Sequence, residues 1–143
     1  MGRRYWLVKE EPESLAWEAF VRDGGAAWTG VRNYQARNHL RTMQPGDRVF
    51  YYHSGKPREI VGIAEVRRRA YPDPTAPEAD WSAVDLTPLE ALPQAVTLAA
   101  IKADPALENL PLLRQSRLSV VPVSAAEWRR ILELGGPSRS VDV

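Results

Sequence analysis

The sequence predicts an α+β fold: a small, curved, mostly antiparallel sheet, rolled towards a barrel, with helices around it. Three observations carry this. Short runs rich in β-branched and aromatic residues are interspersed with amphipathic ones, without the βαβ rhythm of a parallel sheet. Gly62 interrupts one of those runs, where a bulge or a barrel bend belongs. Turn signals such as Pro45-Gly46-Asp47 and Gly55-Lys56-Pro57 separate the strands at short spacing.

Tyr5-Trp6-Leu7-Val8-Lys9 is the first strand, ended by Glu10-Glu11-Pro12, where Pro12 lacks an N–H and keeps Glu11 extended. Ser14 is placed to cap a helix over Leu15–Arg22, which Gly24-Gly25 stops. Trp28 to Val31 is a loop or short extended piece, and Asn33 caps a helix reaching Thr42 with Ala36 and Leu40 inward. Arg48–Ser54 and Glu59–Arg68 are strands, and Ala70–Asp80 is a proline-rich surface loop. Trp81–Leu92 is strand-like with a break at Pro88; Thr97 caps a short helix, and Asp104-Pro105 opens another helical turn. Leu112–Ser116 is a connector, Leu118–Val123 the last strand, and Ser124-Ala125-Ala126-Glu127 a capping box for a helix to Leu134. Residues 1–136 form one domain and 137–143 a loose tail.

Composition bounds the function. A chain of 143 residues with 44% hydrophobic and 26% charged residues can bury a core. There is no apolar run long enough for a membrane helix, and Lys9-Glu10-Glu11 follows Arg3-Arg4 too soon for a signal peptide. The absence of cysteine excludes disulfides and thiolate catalysis and argues against a structural zinc site. Net charge is +1, but residues 1–70 hold thirteen Lys/Arg against eight Asp/Glu, and residues 71–143 six against ten. That asymmetry either makes a basic face or intermixes on folding. His53 and Ser54, like Glu10 and Glu11, are strand neighbours that point to opposite faces. No glycine-rich phosphate loop or metal-ligand spacing appears, so a binding module without metal or cofactor is expected rather than an enzyme.

One run stands out: Trp28-Thr29-Gly30-Val31-Arg32-Asn33-Tyr34-Gln35-Ala36-Arg37-Asn38. Aromatic faces stack on flat rings, amides match the donor and acceptor edges of bases, and guanidiniums hold phosphates. Trp28 is the favoured stacking platform, its alternative being packing under the Pro/Gly-rich loops, and Trp6 in the first strand is either a pocket wall or core. Lys9, at a strand end, can meet a ligand or phosphate. Asn33 caps its helix or reads a base, Gln35 and Asn38 supply amide edges, and Tyr34 adds a phenol. His53-Ser54, at a strand end, can read a base edge or be structural. Arg32 and Arg37 are phosphate candidates, joined by the polar cluster Arg114-Gln115-Ser116-Arg117.

Laid out in order, Tyr5–Pro12, Trp28–Asn38, Gly46–Ser54, Ile60–Val66, Ala70–Asp73 and Pro111–Val120 resemble the EVE domain over nearly the whole chain. The resemblance implies a PUA-like β-barrel akin to YTH and ASCH domains, which mostly bind RNA or modified nucleic acids. It implies a reader of a modified nucleobase, flipped into an aromatic pocket, on DNA or RNA. Its expected partner is a nucleic acid carrying that base, and the expected protein is a monomeric, cytoplasmic, bacterial-type intracellular one with no membrane association. The family often has Ser where this chain has Glu10, so a carboxylate replaces a small hydroxyl beside the implied pocket. The alternatives are a small-molecule or nucleotide sensor using the same pocket and an RNA-binding accessory domain.

Overall fold

The computed structural model describes residues 3–77 and 80–136. Along the chain run β1 (Tyr5–Glu10), α1 (Pro12–Leu15), α2 (Trp17–Arg22), β2 (Ala26–Trp28), α3 (Tyr34–Thr42), β3 (Arg48–His53), β4 (Glu59–Pro72) and β5 (Ser82–Thr97). Then come α4 (Leu98–Lys102), a 3-10 turn (Pro105–Leu107), α5 (Pro111–Arg114), β6 (Val120–Val123) and α6 (Ala125–Leu134). The sheet order is β2-β5-β4-β3-β1-β6. Every pairing is antiparallel except β1–β3. A parallel pair needs a long crossover, and here residues 11–47 make it, carrying α1, α2, β2 and α3.

Helix α3 packs against β4, β5 and β6. Because β5 and β6 lie towards opposite ends of the strand order, the sheet curls around this helix. The curl stops short of the expected barrel: among the described residues no ladder joins β2 to β6, and the sheet stays open. The fold is therefore α+β, with a curved, mostly antiparallel, six-stranded sheet.

One buried cluster runs from Trp6 to Ile131. Trp128 of α6 stacks on Phe50 with centroids 3.7 Å apart and on Tyr5 at 4.7 Å, fastening α6 to the outer side of the sheet. The bend expected at Gly62 is there: the β3–β4 and β4–β5 registers both shift beside it. Its cause is packing. The Trp17 ring lies flat against the glycine, and a methyl group there would sit 2.5 Å from ring carbons.

Four elements depart from the sequence expectation. The helix placed over Leu15–Arg22 is two short helices broken at Ala16, with Ser14 inside the first and Glu11 before it. The break is held from the sheet: Tyr51 Oη donates to the Leu15 carbonyl at 2.6 Å, and the Trp17 N–H donates to His53 Nε2 at 3.2 Å. The loop begins at Asp73 rather than Ala70, because Tyr71 and Pro72 still pair with β5. Pro88 does not end β5; it lies opposite Ala64 beside a register shift, the kind of irregularity at which sheets tolerate proline. The connector at Leu112–Ser116 contains α5, opened by Pro111 at its first turn. The caps at Asn33, Thr97 and Ser124–Glu127 stand as expected. The tail 137–143 lies outside the described residues. Among those described, no helix is long and apolar enough to cross a membrane.

Candidate functional site

The residues nominated by sequence fall into four places, and one groove gathers several of them. A groove of about 280 Å³ is lined by Asn33, Gln35, Gln115, Ser116, Arg117 and Leu118. It lies between the start of α3 and the connector that follows α5. Asn33 caps α3 by accepting from the Ala36 N–H at 2.9 Å, which fixes where the helix starts. Gln35 Nε2 donates to Gln115 Oε1 at 3.2 Å, so two amides, each with a donor and an acceptor beside each other, close on one another. Lys9, at the end of β1, donates from Nζ to the Ser116 carbonyl at 2.7 Å, and its backbone N–H donates to the Ser119 carbonyl. The ammonium is half-buried, and burial lowers its pKa. Lys9 therefore fixes the connector against the sheet. Arg114, expected to grip a nucleic-acid backbone, instead donates to the Glu108 carbonyl and to Asn109 Oδ1, folding its own connector.

A second group sits on the outer face of α3. Tyr34, 62% exposed, stacks on Trp81 with centroids 4.9 Å apart and planes 23° from parallel. Arg37 lies over the Tyr34 ring at 4.8 Å, and Arg32 lies 5.7 Å from the Trp81 ring. Arg37 and Arg41 share one carboxylate, Asp80, and Arg37 also donates to Asn38 Oδ1. The hydrogen bond from Arg41 and the charge of Arg37 hold Asp80 below the usual carboxylate range. Arg32 pairs with Asp73 at 2.9 Å. The Asp73 carboxylate has no exposed side-chain surface, and it also accepts from the Gly30 N–H, the Thr75 N–H and the Thr75 hydroxyl. Burial alone would raise its pKa; these donors outweigh it and hold the group well below the carboxylate range. Arg32, Arg37 and Arg41 thus meet acids from the second half of the chain, and the charge asymmetry of the sequence is partly intermixed on folding. Trp81 was not nominated from sequence. It stands 47 positions from Tyr34 with no local signal to join them; its carbonyl accepts from the Asp73 N–H at 2.9 Å, so the Asp73 junction positions it.

In the other two places three nominated side chains, Trp28, Trp6 and His53, are buried. Trp28 is only 5% exposed, packed edge-on against Phe20 and Tyr51. Strand alternation turned its indole into the core, so it offers no face to a base from solvent. Trp6 is buried too, donating from Nε1 to Asp47 at 3.0 Å. His53, 6% exposed, has both ring nitrogens engaged: Nε2 accepts from Trp17, and Nδ1 faces the Glu10 carbonyl at 3.1 Å, so Nδ1 carries the proton. It is a cap for α2 and has no edge left for a ligand. The Ser54 N–H donates to the same Glu10 carbonyl. The Glu10 carboxyl, half-buried beside these groups, has its pKa raised by desolvation. Glu10, His53 and Ser54 gather at the shared end of β1 and β3, apart from the groove lining.

A larger cleft, about 880 Å³, lies at the other end of α3, lined by Arg3, Arg4, Thr42 and the 44–47 turn. Its carboxylate, Asp47, is committed to Trp6 and to the backbone N–H groups of Arg4 and Gln44. None of the clustered recognition residues reach it.

An open, curled sheet around α3, with polar side chains converging where that helix starts, defines a class. The sequence model of the EVE domain matches residues 4–134, and the chain belongs to that family. Among its relatives is thymocyte nuclear protein 1 of mouse, 34% identical, covering 91% of this chain and 73% of that protein. A crystal structure of an Agrobacterium tumefaciens protein shares 43% identity and 96% of each chain, with a TM-score of 0.93. Human THYN1, solved in complex with DNA containing 5-methylcytosine, shares 30% identity over 95% of this chain and 99% of its own, with a TM-score of 0.82. The fold alone extends to a YTH domain from Zygosaccharomyces rouxii, at 17% identity and a TM-score of 0.60 over 99% of this chain and 92% of that one.

Proposed function

We propose that this chain is a nucleic-acid-binding module that reads a modified nucleobase, flipped from its strand into the groove between α3 and the 115–118 connector. The observation that carries the reading is the match, over almost the whole chain, to human THYN1 bound to 5-methylcytosine DNA. The groove's chemistry supports it. Its volume lies just under the range of about 300–1,000 Å³ seen for small-molecule sites, which suits one base rather than a larger ligand. The Gln35–Gln115 amide pair is satisfied when the groove is empty, and a base edge with adjoining donor and acceptor can replace either amide without leaving the other unpaired. Arg117 and Asn33 line the same groove, giving a charge for a phosphate and a further polar edge. Extruding a base costs a few kcal/mol, so the modification has to add contacts that a plain base lacks.

The test is an anisotropy titration of labelled DNA and RNA oligonucleotides carrying plain cytosine, 5-methylcytosine, 5-hydroxymethylcytosine or N6-methyladenine, at fixed salt. One modified oligonucleotide should bind about tenfold or more tightly than its plain twin. Gln115→Leu should bring that ratio towards one. Arg117→Ala should weaken both twins alike and lower the salt slope by about one. Equal affinity for every twin overturns the reading, and a free nucleoside competing as well as the oligonucleotide would make the chain a small-molecule sensor.

A further inference from the structure

We infer that Tyr34 and Trp81 form a second base site, outside the groove, on which an unpaired nucleobase next to the one being read stacks. The inference rests on the reading of the partner as nucleic acid. Of the twelve aromatic residues in the chain, Tyr34 is the only one that is largely exposed. An exposed phenol is ordinarily free to rotate; this one is held. Its backbone is the first helical residue after the Asn33 cap, and its ring is stacked on an indole that the Asp73 junction holds just before β5. The result is a preset single-ring face: Trp81 backs the Tyr34 phenol, which stays largely exposed, and the guanidiniums of Arg37 and Arg32 lie 4.8 Å from the Tyr34 ring and 5.7 Å from the Trp81 ring.

Those parts match one class of ligand. A nucleobase presents a π-face to the exposed ring and brings a phosphate within reach of arginine. Arg37 and Arg41 divide a single carboxylate between them, so a phosphate can compete for one guanidinium without stripping Asp80 of the other. Position favours the same occupant. Tyr34 lies in sequence between Asn33 and Gln35, which both line the groove, so a strand with one base in the groove passes the platform with its neighbour. The two sites differ in what they read: the groove has amides and tests identity, whereas the platform has only faces and charge and accepts any base.

Abasic nucleotides separate the two. A short single-stranded DNA with one 5-methylcytosine, its plain twin, and versions of each with the flanking nucleotides made abasic are titrated with the whole chain by anisotropy. Removing the flanking bases should weaken binding about tenfold in both twins, because base–aromatic stacking is lost while every phosphate stays. Tyr34→Leu should erase that difference and leave the modified-to-plain ratio unchanged; Tyr34→Trp should restore it. The Tm of each variant checks the fold, and Leu at an exposed helix position keeps helix propensity. Equal binding of flanked and abasic DNA, or a difference that survives Tyr34→Leu, overturns the platform. A ratio of one between the twins overturns base reading but leaves the platform standing, and failure to bind any of the oligonucleotides overturns both.

Discussion

Trp28 and Tyr34 lie six residues apart in one polar, aromatic run, yet they do opposite things. Trp28 joins Trp17, Phe20 and Tyr51 in a sealed cluster between α2 and the sheet. Tyr34 stands outside, stacked on Trp81. The difference teaches that aromatic density in a sequence marks a region and not a surface. Strand alternation turns one ring inward, and a helix cap six residues later turns the other outward. The first ring contributes stability and the second stays exposed.

Trp28→Ala is the largest way to break this comparison. Emptying a sealed aromatic site should cost about 3–5 kcal/mol, read as a fall in Tm. Below the new Tm the modified-to-plain binding ratio should be unchanged; a folded Trp28→Ala chain that had lost the ratio would return Trp28 to the site. Asp73→Ala should cost about 3 kcal/mol, since it strands a buried junction of donors, and should abolish the ring-current shifts of Tyr34 and Trp81 while sparing those of the inner cluster. The same junction sets an acid limit. The Asp73 pKa lies below its ordinary 3.8, so its stabilisation is complete above 3.8 and fades as pH falls further. The Tm gap between wild type and Asp73→Asn should be constant above pH 3.8 and narrow as pH falls below it. Gly62→Ala should cost about 1–3 kcal/mol by driving a methyl group into Trp17, and should disturb only the inner cluster. Gln115→Leu, on the surface, should change stability by no more than about 0.5 kcal/mol while removing discrimination.

What was legible in the sequence was local. Asn33, Thr97 and the Ser124–Glu127 box announce helix starts because each cap is made within three residues of its own helix. The groove was half legible: Gln35 and Gln115 were both nominated, but nothing in the chain says that residues 80 positions apart share a hydrogen bond. His53 was left between a base-edge and a structural role for the same reason. Its strand-end position fits a ligand contact, while its actual partners, the Trp17 N–H and the Glu10 carbonyl, come from elements with which it shares no sequence pattern. The barrel was overdrawn because Gly62 announces a bend without fixing whether the two edges meet.

The sealing of the aromatic interior has an optical consequence. Four of the five tryptophans, Trp6, Trp17, Trp28 and Trp128, are buried, and Trp81 alone is part-exposed. A neutral collisional quencher dissolved in water meets one emitter before any other, and the red edge of the spectrum belongs to that indole. A ligand settling on the outer face shades this emitter, whereas one confined to the groove leaves it lit. The unlabelled chain thus carries its own lamp at the position where the two proposed sites can be told apart.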